Sequence, residues 1–329
     1  MRMFITGGTG FLGKALARRL VKLGYEVTVL GRNEEVGRRL RGEGIHFASG
    51  KLEDAERLEA LIHNHDYVFH CGALSSPWGK YEEFYQANVL GTKNVIAACE
   101  KHQVKRLIHV STPSIYFYYN DRFDVREDDK LPEQFVNHYA HTKYLAEKEI
   151  DQAFSHGLPV ITIRPRALFG PEDTTIIPRL IQVNQKRFIP LVDSGKAKMD
   201  LTYIENVVDA LLLCIDSPST TLGKKYNITN GEQVVFREIL QQLFNQMGTP
   251  MKAKEISFKR AMKLAGILEW GSKYLLKGKE PLLTKYTVSV LGKSQTLNIE
   301  AAKKELGYIP RVNMEEGIRL FVEWWKKNE

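Results

Sequence analysis

The apolar run Met3-Phe4-Ile5-Thr6 leads without a break into Gly7-Gly8-Thr9-Gly10-Phe11-Leu12-Gly13, and a helical stretch follows from Lys14 to Leu23. Ala15, Leu16, Leu20 and Leu23 recur along it near helical spacing. A strand, a glycine turn and a helix in that order leave few folds open. Glycines let a backbone turn sharply and approach a pyrophosphate closely. The helix behind them offers phosphates unpaired N–H groups and a partial positive charge. The run fits two spacings, G-x-G-x-x-G from Gly8 and G-x-x-G-x-x-G from Gly7. Glycines alone mark many turns. Between this strand and this helix they point to a bound dinucleotide.

The first half of the chain repeats the alternation. Apolar or β-branched runs fall at 4–6, 26–30, 45–48, 67–70, 106–110 and 160–164, with helical stretches between them, notably 78–101 and 138–154. This predicts an α/β fold, a Rossmann-type doubly wound parallel sheet covered by helices on both faces. Ligands then bind at the carboxyl ends of the strands. After Arg164 the pattern changes. Short strands at 199–203 and 225–229 alternate with helices at 205–215, 236–247 and 314–326. We expect a dinucleotide-binding domain over 1–165. Residues 166–329 form a smaller, partly interleaved substrate-binding region, with part of the chain returning to the first domain.

Composition narrows the class. The 329 residues are 43% hydrophobic and 26% charged, ordinary for a soluble globular protein. No apolar stretch is long enough to span a bilayer, and the N-terminus reads as a strand instead of a signal peptide, so the expected compartment is the cytoplasm. Cys71, Cys99 and Cys214 are far apart and read as buried free thiols. The nine histidines give no H-E-x-x-H, and no metal is expected. Net charge is +8, with clusters at Arg38-Arg39-Arg41 and in 255–280. No nucleic-acid motif accompanies them, so a solvated basic surface is the expectation.

Two further stretches carry chemistry. In Tyr139-Ala140-His141-Thr142-Lys143 the phenol and the ammonium lie four residues apart on a predicted helix, hence on one face. A free phenol has a pKa near ~10, and a neighbouring cation lowers it. Tyr139 is then fit to exchange a proton with an alcohol or ketone. The strand at 106–110 ends in Ser111-Thr112-Pro113-Ser114-Ile115-Tyr116. A hydroxyl there can orient the reacting oxygen toward Tyr139, or simply cap a turn. Thr112 is the favoured member.

Together with Asn88-Val89-Leu90-Gly91-Thr92 and Arg164-Pro165…Phe169-Gly170-Pro171, these features resemble the extended short-chain dehydrogenase/reductases, the NAD-dependent epimerase/dehydratase family. The resemblance runs nearly end to end. It implies that Tyr139 is the acid/base, that Lys143 lowers its pKa and holds the nicotinamide ribose, and that Thr112 polarises the carbonyl. It places Gly7, Thr9, Gly10, Phe11, Leu12, Gly13, Ser111 and Asn88 at the cofactor. Ala73 and Leu74 line its adenosine side, and Pro165 packs near the nicotinamide. It also implies a homodimer formed through helices 80–101 and 138–155. The stretches 73–79, 111–116 and 164–171 are similar to 3β-hydroxysteroid dehydrogenase-like proteins, and among these most similar to the 2-alkyl-3-oxoalkanoate reductases. That likeness puts Ser75, Ser114, Arg166 and Phe169 on the substrate side.

The chain departs from the family pattern at two places. An NAD enzyme usually ends its second strand in an acid that bonds the ribose 2′-hydroxyl; here the strand ends Leu30-Gly31-Arg32. Arg32 suits a 2′-phosphate, which favours NADP(H) over NAD(H). Lys51 stands where the family often has an adenine-contacting aspartate, and adds a cation near the nucleotide. Arg166 and Ala167 replace the asparagine common in sugar-nucleotide epimerases. The expected activity is interconversion of a ketone and a secondary alcohol on a hydrophobic substrate, a β-keto/β-hydroxy acid or a sterol-like molecule. The alternatives are a sugar-nucleotide epimerase or dehydratase of the same fold, and a non-catalytic NADP(H)-binding protein. The apolar, partly basic stretch 258–283 suits a lid, a peripheral membrane contact or a core-facing helix, and the sequence leaves these open.

Overall fold

A computed structural model describes residues 1–276 and 278–328. Seven parallel strands form the central sheet: β1 (Arg2–Thr6), β2 (Glu26–Gly31), β3 (His46–Ser49), β4 (Tyr67–His70), β5 (Arg106–Val110), β6 (Val160–Pro165) and β7 (Lys225–Ile228). Their order is β7-β6-β5-β4-β1-β2-β3. The strand order reverses between β1 and β4, which opens a crevice at their carboxyl ends.

Alternating side chains on each strand face opposite ways, and the cores follow that rule. Met3 and Ile5 of β1 face a cluster with α1 (Phe11–Lys22) and the later helix Ile204–Asp216. Phe4 between them faces the other side, where Leu58 and Ile62 of α2 (Ala55–Ile62), Val95 and Cys99 of α3 (Gly91–Lys101), and Ile150 of α4 (His138–Ser155) close the layer. Every residue of β6 is buried, as a strand covered on both faces requires.

The predicted helix over 78–101 is interrupted. It begins as Tyr81–Phe84 and passes through a π-helical stretch, Tyr85–Leu90, before α3. The predicted strand over 199–203 divides into Lys198–Met199 and Thr202–Tyr203, which pair in different small sheets. Side-chain bonds explain the break: Asp200 accepts the Leu297 amide at 2.7 Å, and Thr202 Oγ1 donates to the Arg166 carbonyl. Strand β7 returns from the second half to pair with β6. A second core joins Phe169, Ile181, Leu191 and Phe244 to Phe321 of the C-terminal helix Met314–Asn328.

Segment 258–283 is mostly the helix α5 (Phe258–Leu275). Ala261 and Ala265 bury against Val192 and Val288, while Ile267, Trp270, Tyr274 and Leu275 are exposed. Lys277, within that segment, lies outside the described residues. Among the described residues no helix is long and apolar enough to cross a membrane, and no cluster of potential metal ligands occurs.

Candidate active site

Gly7 has φ +68, and a Cβ there would lie 2.7 Å from the backbone of Gly72. Only glycine lets the turn after β1 rest against the end of β4. A Cβ on Gly13 would fall 2.3 Å from the Gly7 carbonyl oxygen, so its absence draws α1 down onto the turn. Gly10 caps α1 without a side-chain bond, and the first turn carries no acid. The opening N–H groups of α1 therefore face outward as an uncapped anion site. The Phe11 and Leu12 side chains pack into the second core, so what they offer a phosphate is backbone alone.

At the tip of β2, a Cβ on Gly31 would lie 2.4 Å from Thr9 Oγ1. Thr9 of the glycine turn thus fills the space beside that position. Arg32 and Lys51 are exposed, and among the described residues neither side chain has a hydrogen-bond or ion-pair partner. Neighbouring Asn33 is committed locally: its Oδ1 accepts Val36 N at 3.1 Å and caps the next helix. Two unpaired cations thus stand at the tips of β2 and β3.

Asn88 serves the loop after β4. Its Oδ1 accepts Leu74 N at 2.7 Å, and its Nδ2 donates to Leu74 O and Thr142 Oγ1, each at 3.1 Å. With both ends of its amide engaged and 1% exposure, it fixes the Ala73–Leu74 loop onto α4.

Tyr139 and Lys143 rise from the first turns of α4, whose N-terminus is set by Asn137 Oδ1 accepting Ala140 N at 2.8 Å. The Tyr139 phenol stands against the hydroxyls of Ser75 and Thr112. Burial pushes this phenol above its usual value, and the two hydroxyls pull it back. Lys143 does not face the phenol as the spacing suggests. Its Nζ donates to Val110 O at 2.9 Å and meets His109 Nε2 at 3.1 Å. The Val110 carbonyl at the end of β5 takes the ammonium, whose pKa burial lowers to about 8. Burial also keeps His109 neutral.

Thr112 caps its turn and also lies near Tyr139. Its Oγ1 accepts Ser114 N at 3.1 Å, capping the turn Pro113–Tyr116, and donates to Ser114 Oγ at 3.0 Å. The same side chain adjoins Tyr139. Ser111 is buried beside Glu147, away from Tyr139. Pro165 ends β6 opposite Ile228, next to the β5 terminus. Arg166 follows it, buried.

Phe169 corrects an expectation. It is wholly buried, edge-on to Tyr203 at 5.7 Å in the second core, because the chain has already turned away from the sheet to pair Phe169 with Tyr203. It does not line the cleft. Tyr286, which the sequence did not single out, does: its hydroxyl lies 3.4 Å from Ser114 Oγ. It comes from the helix α6 (Lys285–Gly292), far along the chain, and no local pattern marks it.

Residues 3–229 match the model of the NAD dependent epimerase/dehydratase family. The chain is 36% identical over 324 residues to a 2-alkyl-3-oxoalkanoate reductase of Stenotrophomonas maltophilia, covering 97% of this chain and 98% of that protein. It is 32% identical to a decarboxylating sterol-4-alpha-carboxylate 3-dehydrogenase of Schizosaccharomyces pombe, covering 98% and 97%. A UDP-glucuronic acid 4-epimerase from Bacillus cereus, solved in complex with NAD, shares the fold with a TM-score of 0.79 at 20% identity over 99% of each chain. The chain therefore belongs to a family that depends on nicotinamide dinucleotides, the NAD dependent epimerase/dehydratase family of extended short-chain dehydrogenase/reductases.

Proposed function

We propose that this enzyme is an NADP(H)-dependent ketoreductase that interconverts a ketone and a secondary alcohol on a hydrophobic substrate of the β-keto/β-hydroxy acid or sterol kind. One observation carries the reading: the Tyr139 phenol, on the first turn of α4, lies near the hydroxyls of Ser75 and Thr112, and Thr112 opens the turn that follows β5. The names of the relatives at 36% and 32% identity support the same substrate class.

The α1 N–H groups hold the pyrophosphate, and Arg32 and Lys51 receive the 2′-phosphate. Lys143, anchored on Val110 O and His109, presents its remaining N–H to a ribose hydroxyl. When bound, the reduced nicotinamide supplies a hydride to the carbonyl carbon. Tyr139 Oη gives its proton to the carbonyl oxygen, and the Thr112 and Ser75 hydroxyls steady the oxygen as charge develops. In oxidation the proton returns along the same path.

The test is oxidation of a panel of 3-hydroxy acids, a 3β-hydroxysterol and a UDP-sugar, with NADP⁺ and NAD⁺ in parallel. Reduction of NADP⁺ with a hydroxy acid or the sterol is expected. Tyr139→Phe should lower turnover by about 10²–10⁴-fold and leave NADPH affinity intact. Near-normal turnover in that variant overturns the mechanism.

A further inference from the structure

Arg166 is 6% exposed. Among the described residues its guanidinium has no hydrogen bond and no ion pair, and its Nε is buried without a partner. A guanidinium cannot shed its charge to relieve this, and buried charges are ordinarily paired. The backbone around it is built with care. Arg166 N donates to Ile228 O at 3.1 Å, Thr202 Oγ1 donates to Arg166 O, and Thr202 N donates to Ala167 O at 3.1 Å. Ala167 is held at φ +42, a left-handed conformation that costs a non-glycine residue. The clasp by Thr202 fixes the main chain and leaves only the guanidinium unsatisfied.

Its surroundings say what is missing. Asp200 is the acid whose charge acts on it. No ion pair joins the two, and Asp200 instead accepts the Leu297 amide. Two residues before Leu297, Gln295 buries both its amide nitrogen and its amide oxygen without partners, at 2% exposure. Gln295 and Leu297 share a strand face, and Leu297 packs on Ile115 and Tyr116, the turn that carries Ser114. Tyr286 ties this cluster to the chemistry. Its phenol bonds Ser114 at 3.4 Å and acts electrostatically on both Arg166 and Tyr139. Arg166 itself directly follows Pro165 at the carboxyl end of β6, beside the end of β5 that leads into Thr112, where Ser111 N donates to Ile163 O at 2.8 Å.

We propose that Arg166 is a subsite for a substrate carboxylate, and that it selects β-hydroxy and β-keto acids over neutral alcohols and ketones. In such an acid the carboxyl carbon is one carbon removed from the carbinol carbon. With the reacting oxygen at Tyr139 and Thr112, the carboxylate reaches the neighbouring cation. A guanidinium takes it with two parallel charge-assisted bonds. Esters and plain alcohols leave the cation unpaired and lose that energy. This rests on the ketoreductase reading for the position of the reacting oxygen.

The experiment compares 3-hydroxydecanoate, its methyl ester and 2-nonanol in wild type, Arg166→Lys and Arg166→Met. Turnover with NADP⁺ and calorimetric binding to the NADP⁺-loaded enzyme are both read. Wild type should prefer the acid to the ester by on the order of 100-fold. Arg166→Met should abolish that preference, chiefly through KM, with NADPH affinity unchanged as the check on folding. Arg166→Lys should restore part of it. Equal binding of acid and ester by wild type, or an acid preference that survives in Arg166→Met, overturns the subsite. Arg166-dependent binding of the acid without any turnover supports the subsite and counts against the ketoreductase reading alone.

Discussion

Single residues decide which dinucleotide the fold can take. At the tip of β2 there is no carboxylate, and Thr9 packs where a Gly31 side chain would stand. The neighbouring Arg32 is exposed and unspent among the described residues. Arg32→Ala should therefore weaken NADPH binding by about 10–100-fold, the worth of a charge-assisted contact, and leave NADH binding within a few-fold. Fluorescence titration with both cofactors measures this, and parallel loss of both would place Arg32 elsewhere. The sequence showed this residue plainly, because strand, turn and tip are contiguous. It did not show that Asn88 is consumed by Leu74 and Thr142, since those partners are brought together only by the packing of α4.

Among elements, α4 bears the most constraint. Asn137 caps it, Lys143 fastens it to the end of β5, and Glu147 forms a buried bidentate pair with Arg164 of β6, with Nε to Oε1 at 2.9 Å. The Lys143 ammonium titrates at about 8 in the fold, lowered by burial from 10.5. Between those values the unfolded chain holds the proton and the folded protein has released it. Raising the pH through this window therefore favours folding. Relative to Lys143→Met, wild type should gain up to about 3 kcal/mol from pH 8 to pH 10.5. Urea melts at the two ends of the window check it, and a constant difference would mean the ammonium is not desolvated. The helix was legible in the sequence from its period. The direction of Lys143 was not, because spacing on a helix puts two residues on one face but does not say which outside acceptor each will find.

Across the whole molecule, two cores share the work. The sheet and its helices form one; Phe169, Tyr203, Phe244 and the C-terminal helix form the other. Phe169 is pinned between Tyr203 and Gly317, where an added Cβ would come within 2.8 Å of its ring. Phe169→Ala should cost about 3–5 kcal/mol of stability and leave the acid-to-ester selectivity of the folded enzyme as in wild type. Denaturant unfolding with kinetics on the same preparation tests it, and a changed selectivity at normal stability would return Phe169 to the cleft. The sequence by itself determined the parallel sheet and the glycine turn, because each is written in local period or in neighbours a few residues apart. Tertiary structure alone decided what lies beside the turn after β5. It withdrew Phe169 into a core and brought Tyr286 to Ser114 from a distant segment. It also left Arg166 buried without a partner, because burial and pairing are properties of the assembled neighbourhood and not of any stretch of chain.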